Sequence, residues 1–306
     1  MEVFNNPILI TGYSGFIGNN LVHHLQSNNY TNLSFLGRTT QPNWNQLSNV
    51  DDYKTIIHLS GLAHDLKKTS TEKDYFDANF ELTKKLFDLF LLAESTDTFI
   101  FVSTVAVKNK VETIFVEEDS TNPETFYGKS KLKAEEYILS NLPLNKKVLI
   151  LRPTMVYGIG NKGNLNLLYA FVKNGIPYPL GAFNNERSFL YVENFCFIIK
   201  EIIENKNIES GIYHLADDDT MSTQQLIKLI GTSLDKKISI LKVPKIMITF
   251  IAKIGNILPL PINSERLEKM TENFIVSNNK IKKSINKNLP FTSIEGWNKT
   301  LASFKK

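Results

Sequence analysis

The stretch Ile8-Leu9-Ile10-Thr11-Gly12-Tyr13-Ser14-Gly15-Phe16-Ile17-Gly18 decides the fold. Its apolar run reads as a buried strand, its glycines at every third position as a tight turn, and the amphipathic segment 16–25 as a helix. Glycine lets the backbone turn sharply and meet a ligand without a Cβ in the way. The helix N-terminus adds unpaired N–H groups that suit an anion such as a pyrophosphate. The same spacing also joins strand to helix for structural reasons alone, so the rest of the chain has to decide.

Outward from that corner, residues 33–38, 55–60, 99–103 and 148–152 read as strands, and 72–93 and 123–141 as helices. Apolar strands alternating with amphipathic helices imply an α/β, doubly wound parallel Rossmann sheet, with ligands beyond the carboxyl ends of its strands. Ser60-Gly61, Ser103-Thr104 and Arg152-Pro153 all fall at such ends. Glycines and prolines loosen the pattern after Tyr157, so a dinucleotide-binding domain over 1–155 and a smaller C-terminal α/β substrate-binding domain over 156–306 are expected. Residues 188–192 and 211–215 read as strands that rejoin the first sheet or start a small one. A helix over 293–304 carries Trp297 and Phe304 on its apolar side.

Bulk properties exclude several classes. The apolar fraction of 42% suits a packed globular protein, and the net charge of +4 over 306 residues is scattered rather than blocked, so nothing calls for nucleic acid. The single cysteine, Cys196, lies between Phe195 and Phe197 and reads as a small hydrophobe in a reducing cytoplasm. The N-terminus lacks the features of a signal peptide, and no integral membrane segment and no metal site is expected. Residues 246–262 come nearest to a span but are broken by Lys253, Gly255 and prolines. They read as a helix packed on the body or on a second subunit, with a membrane-surface role as the lesser alternative.

The sharpest chemical feature is Tyr127-Gly128-Lys129-Ser130-Lys131. Tyr127 and Lys131, four apart on a helix, share a face, and an ammonium there favours the phenolate, making the tyrosine an acid/base. The hydroxyls of Ser103 and Thr104 can polarise a substrate oxygen whose proton Tyr127 exchanges. Alone, each feature also has a plain structural reading: an exposed tyrosine above a solvated lysine, and strand-end hydroxyls bonded to local backbone.

Taken in order, the glycine turn, His58-Leu59-Ser60-Gly61, Asn79, Ser103-Thr104, Tyr127-Xaa-Xaa-Xaa-Lys131 and Arg152-Pro153-Thr154-Met155-Val156-Tyr157-Gly158 resemble the extended short-chain dehydrogenase/reductase superfamily, in particular its nucleotide-sugar epimerases, dehydratases and reductases. The resemblance implies that Gly12, Ser14, Gly15, Phe16, Ile17 and Gly18 form the pyrophosphate turn, with Leu59, Ser60 and Gly61 along the cofactor. It makes Tyr127 the acid/base, Lys131 a pKa modifier and ribose ligand, and Thr104 the catalytic hydroxyl with Ser103 as its substitute. It assigns Arg187 to a sugar-nucleotide diphosphate, with a surface salt bridge as the alternative, and Arg266 as a second candidate. Asn161 and Asn164 are implied as polar substrate contacts or as helix caps. His64 falls near the sugar pocket with its role open.

Departures from the family narrow the reaction. Thr104 is followed by Val105 and Ala106 rather than by an acidic pair, which argues against dehydration, and the residues of decarboxylating or 3,5-epimerising relatives are missing. Redox chemistry at C4 of a nucleotide-activated hexose is left, as a 4-ketoreductase first and a 4-epimerase second. The ribose position carries Gly37-Arg38 with no acid before Asp51 and Asp52, which favours NADP over NAD, although the short link from Arg38 to Thr55 weakens that reading. The family also implies a homodimer through the two long helices. A catalytically silent dinucleotide sensor would need the tyrosine–lysine pair to be lost, and a reductase of non-nucleotide carbonyls would not need Arg187.

Overall fold

The computed structural model describes residues 6–40, 43–63, 69–109, 113–161, 164–258 and 262–305. The opening stretch forms β1 (Ile8–Thr11), buried throughout, and runs through the glycine turn into α1 (Phe16–Ser27). Then follow β2 (Leu33–Leu36), β3 (Thr55–His58), α2 (Glu72–Phe76), a π-helical turn at Asp77–Glu81, α3 (Leu82–Leu92), β4 (Thr98–Val102), a 3-10 turn at Val105–Val107, α4 (Phe126–Ser140) and β5 (Lys147–Pro153). The second half supplies β6 (Met155–Tyr157), α5 (Asn164–Lys173), β7 (Arg187–Tyr191), α6 (Val192–Glu204), β8 (Gly211–Leu215), β9 (Thr220–Met221), α7 (Thr223–Ser233), α8 (Lys245–Ile254), α9 (Ser264–Thr271), α10 (Asn279–Ile285) and α11 (Ser293–Ser303).

The main sheet has the order β2-β1-β3-β4-β5-β8 and is parallel throughout. The chain reverses direction across the sheet between β2 and β3, which opens a crevice at the carboxyl ends of β1 and β3, where ligands bind in such folds. β6, β7 and β9 form a smaller sheet. The chain leaves the main sheet after Pro153 and returns to it at β8, beside β5.

Strand alternation splits the core between two faces. Ile8, Ile10, Ile57, Ile100, Leu149 and Leu151 pack with α1 and α6, while Leu9, Ile56, Phe99, Phe101, Val148 and Ile150 pack with α3 and α4. Phe87, Phe90 and Phe99 meet with ring centroids 5.2–5.7 Å apart, so truncating Phe99 to alanine would cost about 3–5 kcal/mol. Between β2 and β3 the described residues contain no helix. Trp44, Leu47 and Val50 cover the sheet there instead.

Two elements differ from the sequence reading. The helix expected over 72–93 contains the π-helical turn, which carries Asn79 at full burial. The helix expected from Pro123 begins later, at Phe126, because Asn122 bridges to Lys108 and Thr125 caps the helix by accepting the Gly128 N–H at 3.1 Å. Tyr127 therefore sits in the first turn of α4.

Candidate active site

The glycine turn is closed by contacts that no side chain could share. Gly12 has φ +68°, and a Cβ there would lie 2.7 Å from the Ser60 nitrogen; one on Gly18 would lie 2.3 Å from the Gly12 carbonyl oxygen. Gly15 donates its N–H to that carbonyl at 3.1 Å and begins α1 with no side-chain cap and no acid in the first turn. The first N–H groups of α1 have no intrahelical partner, and Ser14 and Gly15 are exposed beside them. The corner is built to receive an anion.

A buried chain of hydrogen bonds ties this corner to α4. The Ser60 N–H donates to Thr11 Oγ1 at 3.1 Å, Thr11 Oγ1 meets His58 Nδ1 at 2.7 Å, and His58 Nε2 meets Thr83 Oγ1 at 2.9 Å. Thr83 in turn donates to the Asn79 carbonyl at 2.7 Å. That order makes Nδ1 the acceptor and Nε2 the donor, a neutral imidazole, and burial with Lys131 nearby pushes His58 down to about 3. Asn79 then donates to Ser130 Oγ at 2.9 Å and accepts the Leu62 N–H at 2.7 Å, clamping the end of β3 to α4.

Lys131 reaches the same crevice from below. Its ammonium donates to the Val102 carbonyl at 2.9 Å and lies 4.7 Å from the Phe101 ring centre. A Cβ on Gly61 would meet its Nζ at 3.1 Å, so glycine there leaves Lys131 open to the end of β3. Desolvation pushes Lys131 down to about 8, against the pull of Glu135. Burial raises the Tyr127 phenol above its ordinary value and Tyr75 pushes the same way, outweighing the neighbouring Thr104 hydroxyl, which favours the phenolate. The expected lowering of Tyr127 by Lys131 is thus corrected: the ammonium is held against Val102 and Phe101, and burial dominates the phenol.

The two hydroxyls after β4 part company. Ser103 is buried and donates to the Glu135 carboxylate, which also takes Nε and Nη2 of Arg152. Its proton is committed to the core, while Thr104 lies beside Tyr127 and accepts the Ala106 N–H at 3.1 Å.

Around this centre the remaining candidates scatter. Arg38 is exposed past the end of β2 and makes no ion pair among the described residues. Asp51 accepts the Glu94 and Ser95 N–H groups at 2.8 and 3.2 Å, which removes it from any role at the ribose. Asn161 closes a turn on the Gly158 carbonyl at 3.2 Å, and Asn20 of α1 donates to the Ile159 carbonyl at 3.3 Å, so this loop lies against the start of α1. Asn164 begins α5 with its side chain outside the described residues, as is His64. Arg187 is half-buried, with Nη1 on the Lys269 carbonyl and 3.3 Å from Glu272. The salt bridge is therefore the form found, on a partner from the α9 end rather than on a free surface. Arg266 is exposed on α9.

Residues 8–216 match the NAD dependent epimerase/dehydratase family. The chain belongs to that family. UDP-glucose 4-epimerase of Vibrio cholerae is 27% identical over 97% of this chain and 95% of its own length. The N-acetyl-alpha-D-glucosaminyl-diphospho-ditrans,octacis-undecaprenol 4-epimerase of Escherichia coli O157:H7 is 28% identical over 78% of this chain and 76% of that protein. The crystal structure of UDP-N-acetylglucosamine 4-epimerase from Bacillus cereus superposes with a TM-score of 0.76 at 17% identity, covering 99% of this chain and 100% of the other.

As a member of the NAD dependent epimerase/dehydratase family the chain is an enzyme, and its residues fit a nicotinamide dinucleotide. The uncapped, acid-free start of α1 matches a pyrophosphate, and the glycines leave the backbone bare where it must approach. Reading the sequence missed Glu135, Ser130, Thr83 and Asn20. Glu135 alone left a trace there, as a carboxylate four residues beyond Lys131 on the same face of α4 as Ala134 and Ile138.

Proposed function

We propose that this enzyme is a UDP-sugar 4-epimerase. The observation that carries the chemistry is the juxtaposition of Tyr127 and Thr104 beyond the end of β4, with Lys131 one helical turn along α4 from Tyr127. Near full-length similarity to a UDP-glucose 4-epimerase supports the epimerase reading over simple reduction. A nicotinamide dinucleotide held at the glycine turn would supply hydride transfer to and from C4. Ionised as the phenolate, Tyr127 would take the proton of the C4 hydroxyl while Thr104 holds the same oxygen, and would return it when the hydroxyl is restored on the opposite face. Lys131, at about 8, is charged at neutral pH and is proposed as the ribose ligand. Asn161, Asn164 and Arg266 are proposed as sugar-nucleotide contacts, and Arg187 as a diphosphate ligand that exchanges Glu272 for the phosphate. A homodimer through α3 and α4 belongs to the same proposal, with Leu92 and Leu139 exposed along those helices.

A 4-ketoreductase is the second reading. It is favoured by Arg38, exposed at the ribose end of β2, where an arginine suits the 2′-phosphate of NADP.

Incubation with UDP-glucose and UDP-N-acetylglucosamine, followed by NMR of the sugar, tests the proposal. Inversion at C4 without net nicotinamide consumption is expected. Stoichiometric NADPH consumption with a 4-keto sugar and no inversion would replace it by the reductase. In either case Tyr127→Phe should lower turnover by about 10²–10⁴-fold while dinucleotide binding persists.

A further inference from the structure

Helix α8 is apolar on both sides. Ile248 and Ala252 seat it on the body, yet Ile246 is 80% exposed, Phe250 64% and Ile257, in the turn that follows, 87%. Met247 and Ile251 widen the same outward face, and Ile246, Phe250, Lys253 and Ile257 follow one another at helical spacing along it. A helix with an apolar row on its outward side as well as its inward one is one that something else covers.

Charge decides the occupant. From Lys236 to Asn263 the sequence holds lysines at 236, 237, 242, 245 and 253 and no aspartate or glutamate. Lys242, Lys245 and Lys253 are exposed beside the apolar row. A second copy of α8 would set Lys242, Lys245 and Lys253 against their own counterparts, while the exposed Glu265 of the neighbouring α9 is already paired with Lys269, which disfavours self-association. An anionic lipid surface meets both demands, since acyl chains cover the apolar row while headgroup phosphates pair with lysines that extend from it. No helix among the described residues is long and apolar enough to cross a membrane, so such contact lies in the plane of the interface.

We propose that α8 and the turn after it form a peripheral docking surface for an anionic bilayer, with Ile246, Met247 and Phe250 among the acyl chains and Lys242, Lys245 and Lys253 on the headgroups. Helix α9, which packs beside α8, carries Arg266 and supplies the Lys269 carbonyl to Arg187. Docking would therefore turn the substrate half of the enzyme toward the membrane. The proposal does not depend on which C4 reaction the site performs.

The test is co-sedimentation of the full-length protein with vesicles of phosphatidylglycerol mixed with phosphatidylethanolamine, compared with phosphatidylcholine alone. Binding to the anionic vesicles that weakens with salt is expected. Lys→Gln changes at 242, 245 and 253 should lower it by about fivefold each, and Ile246→Glu with Phe250→Glu by about tenfold or more. Retained dinucleotide binding confirms that these variants are folded. Equal partition onto neutral vesicles, no partition at all, or partition unchanged by the paired glutamates would overturn the proposal. So would a vesicle-free dimer that the same glutamates dissolve.

Discussion

Arg152 on β5 holds Glu135 on α4 by two nitrogens, with Nη2 2.6 Å from Oε2, and neither side chain is more than 3% exposed. The pair locks α4 to the sheet beside Ser103, so it sets the position of the helix that carries Tyr127 and Lys131. Glu135→Ala leaves Arg152 buried and unpaired and should cost about 3–5 kcal/mol in urea unfolding. Because Glu135 holds Lys131 up, its loss should also move the pH at which dinucleotide binding weakens below about 8.

Gly18→Ala should disable the cradle. The added methyl would lie 2.3 Å from the Gly12 oxygen and 2.6 Å from the Tyr13 Cα, both backbone atoms that cannot swing aside. A loss of about 1–3 kcal/mol in stability is expected, with dinucleotide affinity falling further, as read by thermal melts with and without NAD.

Arg38→Asp should move preference from NADP toward NAD. The position is exposed past β2 beside the glycine turn, and Asp51 is occupied elsewhere. Titration of both dinucleotides checks this, and an unchanged ratio would place Arg38 away from the ribose.

Asp217 gives a pH signature outside the active site. It is buried and accepts from the Tyr191 N–H at 3.0 Å, Asn194 at 2.7 Å and Tyr157 at 2.9 Å, yet desolvation raises its carboxyl from 3.8 to about 6. An acid with a raised folded pKa binds its proton more tightly in the folded state. Stability from this group is therefore full below 3.8 and declines as pH rises to about 6, by about 3 kcal/mol. Asp217→Asn should remove that slope from unfolding curves measured across the window, whatever its effect on absolute stability.

The sequence was most legible where local chemistry and burial agree. Ile8 to Gly18 spells strand, turn and helix because each residue satisfies a local demand, and Tyr127 and Lys131 share a face through helical spacing alone. Thr104 and Ser103 looked interchangeable, because nothing local distinguishes adjacent hydroxyls. Glu135, far along the chain, separates them by taking the Ser103 proton.

By itself the sequence determined the alternating α/β order, the bare glycine corner and the family, all of which rest on short-range spacing and on the burial pattern of each segment. Only the tertiary structure decided that burial outweighs Lys131 at the Tyr127 phenol, that Arg187 meets Glu272, that Asp51 caps backbone, and that α8 turns a second apolar face outward. Each of those depends on what distant segments bring within a few ångströms, where desolvation and charge act and sequence spacing carries no signal.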